Sequence, residues 1–235
     1  MPTMPPAPIV RPAREDDAAA IAAVIVDALS DKYGPALGRA AVRGVEGLVR
    51  RDIREVSSSR YWVAEVEGRV AGGVHLALAD DRGAGALQTL AAEVGWTRAL
   101  RAVAVFSLLG TGRVARDEGY IDELGVAEWA RRRGVASALL SACEREARRV
   151  GKRRLTLWVT ADNRAARPLY ERYGFREAAR RRWVLGRLVF GAPGAIFMEL
   201  SLPPRGRPRR GRAPRPGPAL RAARGARARP ARAPE

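Results

Sequence analysis

Cysteine, histidine and lysine are nearly missing from this 235-residue chain: Cys143, His75, Lys32 and Lys152 stand against 41 arginines. One cysteine excludes an internal disulfide. Cys143 lies on the apolar side of a helical stretch, where it reads as a small core residue rather than a nucleophile. His75, with no carboxylate fixed beside it in the sequence, reads as an ordinary strand histidine, and no metal site is expected. No run of about 18 apolar residues occurs, so no membrane span is expected. The opening MPTMPPAPIVRPARED lacks the charged-then-apolar layout of a signal peptide, which makes the cytoplasm the expected location. Aromatic residues make up 6% of the chain and none falls in its last 33 residues. The stacking platforms that read single-stranded RNA are therefore lacking where the charge is highest.

What is present is positive charge, unevenly spread. The formal net charge is +18, of which residues 203–235 carry +10 through eleven arginines and one glutamate. That segment alternates Pro, Gly, Ala and Arg and cannot bury enough apolar surface to fold alone, so a disordered basic tail is expected. Its charge supports only weak, nonspecific attraction to polyanions. The remaining 200 or so residues suffice for one good core.

Apolar spacing divides that body into elements. Residues 9–11 suit a short strand, and acids at Glu15, Asp16 and Asp17 open a helix with a stripe at Ala18, Ile21, Ala22, Ile25 and Leu29. Tyr33-Gly34-Pro35 is expected to break it, and a second helical stretch covers about 37–56. Two apolar runs, 61–66 and 69–78, flank Glu67-Gly68 and predict a tight β-hairpin. Gly72-Gly73 predicts a bulge or a close backbone approach. A helical segment over 86–109, interrupted near Gly95, carries arginines on one side and is expected to pack on the body or on a second subunit. Residues 195–200 form a last strand, whereas 176–190 give no clear pattern.

The densest signal lies in 120–150, YIDELGVAEWARRRGVASALLSACEREARRV. It reads as a strand over 120–126, an Arg/Gly turn over 131–136, and an amphipathic helix with Val135, Leu139, Cys143, Ala147 and Val150 on one side. Gly151 is the expected C-cap. Backbone N–H groups and the positive dipole end at the helix start favour an anion, best a phosphate, and Gly134 lets the backbone approach it. A strong strand over 154–160 follows, so strand, helix and strand make a βαβ unit with parallel neighbours.

Two motifs in this region carry a family likeness. Arg131-x-x-Gly134-x-Ala136, five residues after Val126, resembles the Q/R-x-x-G-x-G/A signature of the GCN5-related N-acetyltransferases. Asn163-x-x-Ala166-x-x-Leu169-Tyr170-x-x-x-Gly174-Phe175 is similar to that family's later segment. The resemblance covers about 8–200 and is clearest over 120–176. It implies an α/β fold with a mixed sheet, splayed central parallel strands and helices on both faces. The domain would span 8–202, with a helical insertion at about 80–118.

The same resemblance implies acetyl transfer from acetyl-CoA to a primary amine in a ternary complex. The pantetheine arm would pair with the main chain of Leu124, Gly125 and Val126. The pyrophosphate would rest on the N–H groups of Arg132, Arg133, Gly134, Val135, Ala136 and Ser137, with Arg131 or Arg133 reaching coenzyme phosphates. Asn163 and Ala166 would complete the coenzyme site. Tyr170 would protonate the leaving thiolate, and Tyr173 would pack the short helix. Glu123 is the chosen base. Strand alternation puts Asp122 and Glu123 on opposite faces, so only one is expected to serve.

The acceptor, a small molecule or a protein amine, is left open, because its selection falls to the first helices and the segment before the central strand. A homodimer through 86–109 is a further expectation. The contrasting class is a noncatalytic CoA-binding or RNA-associated protein that uses the tail. Removing residues 203–235 separates the two: thiol release from acetyl-CoA is expected to be unchanged, while retention on a polyanion matrix is lost.

Overall fold

Alternating apolar residues build the sheet. The strands β1 (Ile9–Pro12), β2 (Ser59–Val66), β3 (Arg69–Ala77) and β4 (Glu118–Val126) pair antiparallel in succession. β5 (Arg154–Thr160) lies parallel to β4. β6 (Arg176–Arg182) and β7 (Gly194–Ser201) complete a seven-stranded mixed sheet in the order β1-β2-β3-β4-β5-β7-β6. The computed structural model describes residues 6–55, 59–79, 85–109, 114–183 and 191–203, all within one unit, Met1–Pro204. The expected tail lies outside these residues, as do parts of the loops at 57–59 and 80–85, of 111–119 and of 176–190.

Helices cover both faces. One face carries α1 (Ala18–Ala28), α2 (Ser30–Leu37), α3 (Ala41–Glu55), α4 (Ala86–Val94) and α5 (Trp96–Leu109). The other carries α6 (Val135–Arg149) and α7 (Ala166–Tyr173). α6 buries Val135, Leu139, Leu140, Cys143 and Ala147 against the sheet, and each large aliphatic side chain so buried contributes about 1.5–3 kcal/mol. Burial pushes the Cys143 thiol well above its usual range, consistent with a core residue. Gly151, at φ +79, stops α6 as expected.

Two glycines on β3 mark the closeness of the layers. A Cβ on Gly72 would stand 2.8 Å from Val135 Cγ1, and one on Gly73 would stand 3.4 Å from Ile21 Cγ2. The bulge beside them falls one residue earlier, at Ala71, since Ala64 pairs with Gly72 and Glu65 with Val70. The hairpin turn has positive φ at both Glu67 and Gly68, the twist that a two-residue turn needs.

Three expectations require correction. The first helix breaks at Leu29 rather than at Tyr33-Gly34-Pro35, and α2 runs through Pro35 to end at Gly38, whose φ is +56. The stretch 37–56 is not one helix but the end of α2, a 3-10 turn (Gly38–Ala40) and α3. Of the unpatterned 176–190, residues Arg176–Arg182 form an edge strand, exposed at every position and rich in arginine.

α1 is pressed onto β4 at Gly125, where a Cβ would stand 2.9 Å from the Val24 carbonyl oxygen and 3.1 Å from Ile25 Cα. These are backbone atoms and cannot turn aside. Gly125→Ala is therefore expected to lose about 1–3 kcal/mol, read as a lower urea midpoint.

Candidate active site

The central feature of the site is a gap in the sheet. β4 and β5 pair only through Glu118–Arg154, Gly119–Leu155, Tyr120–Thr156 and Ile121–Leu157. Beyond Ile121, β4 continues to Val126 along β3 alone, and β5 continues to Thr160 along β7 alone. The facing edges from Asp122 and Trp158 onward thus lack each other as partners, and a V-shaped opening exposes backbone groups there. Leu124 and Val126 lie on its wall, partly buried on the α6 side.

At the end of β4 the chain makes a short 3-10 turn (Glu128–Ala130) and enters the Arg/Gly turn. Arg132 and Gly134 take positive φ values of +66 and +78, which curls successive N–H groups toward one side. The first bond of α6 is donated by the Ala138 N–H to the Gly134 carbonyl, so the N–H groups of Val135, Ala136 and Ser137 precede the helical ladder. Among the described residues, nothing lies within 4 Å of a Cβ built on Gly134. The arginine side chains are held loosely: Arg131 stands 3.9 Å from Asp27 and Arg133 stands 3.4 Å from Glu67. An anion could recruit both, since exposed pairs of this kind contribute at most about 1 kcal/mol.

Tyr170 lies on α7, buried against Phe175 with ring centroids 5.8 Å apart. Burial raises its phenol to about 12, with Cys143 adding to the effect, so it keeps its proton at neutral pH. Tyr173 packs as expected and donates to Glu144 Oε2 at 2.8 Å. Asn163 caps the helix that follows it. Its Oδ1 accepts the Ala166 N–H at 2.9 Å and its carbonyl accepts the Arg167 N–H at 3.2 Å. Pro168 falls in the first turn of α7, where the lack of an N–H is harmless.

The two acids of β4 overturn the alternation argument. His75 pairs with Glu123 and Leu76 with Ile121, so Asp122 is an inserted residue at a bulge. The bulge brings both carboxylates to the face covered by α1 and α2. One ammonium reaches both: Lys32 Nζ is 3.2 Å from Glu123 Oε1 and 3.9 Å from Asp122 Oδ1. Burial works against the Lys32 charge, but Asp122 and Glu123 outweigh it and hold the ammonium well above the ordinary lysine range.

Sequence reasoning missed Lys32 and the cluster behind it. His75 Nδ1 is 3.7 Å from Asp122 Oδ2, and its ring stacks on Tyr61 at 4.3 Å, nearly parallel. Asp52, buried and ion-paired with Arg51, has its carboxyl raised by burial, and burial likewise raises the Tyr61 phenol. His75 therefore sits in a polar cluster rather than as an isolated strand residue. The available signal for Lys32 was its rarity in an arginine-rich chain. Among the described residues, no group of three or more His, Cys, Asp or Glu is arranged to hold a metal ion, and no helix is long and apolar enough to cross a membrane.

Residues 27–175 match the model of the acetyltransferase (GNAT) family. A stretch of 62 residues is 42% identical to the uncharacterized N-acetyltransferase YycN of Bacillus subtilis, taking in 26% of this chain and 40% of that protein. Among solved structures, Ard1 from Thermoplasma volcanium matches at 20% identity over 84% of this chain and 99% of its own, with a TM-score of 0.55. A ribosomal-protein-alanine N-acetyltransferase from Brucella melitensis matches at 20% identity over 83% and 99%, with a TM-score of 0.54. At these identities the likeness to the solved structures is one of fold.

The cap on α7 is testable apart from any activity. Asn163→Ala removes the acceptor for the Ala166 N–H and is expected to cost about 1 kcal/mol, measured by equilibrium unfolding in urea.

Proposed function

The chain belongs to the acetyltransferase (GNAT) family, and from that premise we propose that it moves the acetyl group of acetyl-coenzyme A to a primary amine by direct attack while both substrates are bound. The observation that carries this reading is the parting of β4 from β5 after Ile121, with the same strand leading on through a short turn to the start of α6 at Val135 and its free N–H groups. A thioester with a long amide-bearing arm and a pyrophosphate has the matching sequence of needs: backbone pairing first, then an anion cradle.

In this assignment the main chain of Leu124, Gly125 and Val126 pairs with the pantetheine arm. The N–H groups from Arg132 to Ser137 take the pyrophosphate, and Arg131 and Arg133 leave their weak carboxylate contacts to add charge-assisted bonds. Asn163 and Ala166 flank the coenzyme. With one Oδ1 lone pair engaged by the Ala166 N–H, Asn163 offers the coenzyme chiefly the two donors of its NH2 group. Residues 8–202 act as the catalytic domain, with 80–118 as a helical insertion and 203–235 as an appended basic segment.

The coenzyme supplies an activated acetyl carbonyl. Glu123 takes a proton from the acceptor ammonium, directly or through water, and Asp122 stands close enough to share that work. As the amine nitrogen bonds to the carbonyl carbon, the C–S bond breaks. Tyr170 then gives its phenolic proton to the departing sulfur; the phenol is protonated at neutral pH, and burial, which raises it to about 12, makes it a weaker acid that depends on close placement beside the sulfur. The second proton that the nitrogen sheds as the amide forms restores the Tyr170 phenol, while Glu123 passes its proton to solvent.

The test is thiol release from acetyl-CoA across a panel of small amines, lysine peptides and peptide N-termini. At least one amine is expected to release free CoA stoichiometrically with its acetylation; silence across the panel would undo the proposal. Tyr170→Phe is expected to lower kcat about 100-fold with the KM for acetyl-CoA little changed. A variant as fast as the wild type would remove Tyr170 from the assignment.

A further inference from the structure

Lys32 is out of keeping with the rest of the chain. Arginine serves at 41 basic positions and lysine at two. The other, Lys152, has a structural role, donating to the carbonyls of Leu78 at 2.6 Å and Arg116 at 2.8 Å. Lys32 instead puts its ammonium into a box with two kinds of wall. The bulge carboxylates of Asp122 and Glu123 form one side. The rings of Tyr33 and Phe106 form another, with centroids 5.1 and 6.0 Å from Nζ. These rings meet edge to face at 5.8 Å and 82°, so the aromatic wall is braced by its own contact. Carboxylates and aromatic faces accept a guanidinium as readily as an ammonium, so a lysine here, in a chain that otherwise uses arginine, fills the box with a compact charge on an unbranched stem.

The position of the box is as informative as its chemistry. Its carboxylates stand at the residues where β4 leaves β5, at the apex of the opening assigned above to the thioester arm. Lys32 and Tyr33 both reach the box from α2, an eight-residue helix bounded by a non-helical Leu29 and by Gly38 at φ +56. Both ends of the lysine-bearing segment are thus breaks in the helical ladder.

We propose that Asp122, Glu123, Tyr33 and Phe106 form the subsite for the acceptor's ammonium, that Lys32 fills it as an internal occupant, and that the acceptor is an alkylammonium of the lysine side-chain type, which displaces Lys32 in order to react. This rests on the acetyl-transfer reading and narrows its acceptor class. Occupancy by Lys32 lowers the apparent affinity for the acceptor by the fraction of molecules in which the box is filled.

The experiment uses the full chain with Lys32→Ala and the probe n-butylammonium chloride, whose alkyl chain matches the carbon stem of the lysine side chain. Without acetyl-CoA, n-butylammonium is expected to raise the thermal midpoint of Lys32→Ala above that in sodium chloride of equal ionic strength, while n-butanol does not. With acetyl-CoA, Lys32→Ala is expected to acetylate n-butylamine with kcat/KM about tenfold above the wild type. In Lys32→Met, where the stem volume stays filled, neither effect is expected. If Lys32→Ala does not fold alone, its recovery on refolding with n-butylammonium is the same readout.

Stabilisation no better than with n-butanol, or an equal gain in Lys32→Met, overturns the proposal. Stabilisation without acetylation, while another amine of the panel is acetylated, makes the box a structural ion pair and also overturns it. If no amine at all is acetylated by the wild type, the acetyl-transfer reading is what has failed, and the binding arm still decides whether the box takes an ammonium.

Discussion

Everything in this molecule that bears on chemistry depends on one interruption of backbone pairing. A parallel pair of strands ordinarily keeps its hydrogen bonds along its shared length, because unpaired buried N–H and C=O groups are costly. Here β4 and β5 keep four residue pairs and then separate. The bulge at Asp122 increases local twist and turns two acids to one side. Gly125, pinned beneath the backbone of α1, holds the rest of β4 on its diverging course. The Arg/Gly turn and the start of α6 come next in the chain, so the N–H groups that precede the α6 ladder inherit their place from the same departure.

Much of this was legible in the residues, and for physical reasons. The hairpin at Glu67-Gly68, the amphipathic α6 with its Gly151 stop, and the parallel β4–β5 pair are local or near-local signals set by periodicity and turn chemistry. So was the family likeness, and the fold it implies is the fold observed. What could not be read depended on partners distant in sequence. A bulge is invisible in a strand's own alternation, which sends Asp122 and Glu123 to opposite faces although Lys32 touches both. Pro35 suggests a break, but packing of Tyr33, Ala36 and Leu37 carries α2 through it. Nothing near His75 in the sequence announces Tyr61 or Asp122 beside it. β6 resists reading because all seven of its residues are exposed, leaving no alternation to detect.

The division of labour between the two faces is also clear. The α6 and α7 side is a closely packed apolar core that includes Tyr170. The α1 to α5 side holds the charged and aromatic cluster, in which burial raises the Asp52 carboxyl and the Tyr61 phenol while the acids of β4 hold Lys32 charged against burial. The sheet between them is a partition with a slot in it. A coenzyme arm lying in that slot and an amine arriving from the polar side would meet without either having to cross a packed layer.

The exposed arginines of β6 have a bearing that goes beyond this chemistry. An edge strand offers a row of free backbone groups to any other strand, and a seven-stranded sheet has two such edges. β1 spans only four residues and ends in proline. β6 carries Arg176, Arg180, Arg181 and Arg182. A second copy approaching that edge would bring two arginine-rich strands side by side, with Glu177 the one acid on each. The charge on β6 thereby works against growth of the sheet by strand addition at that edge, the route by which sheets extend into fibres.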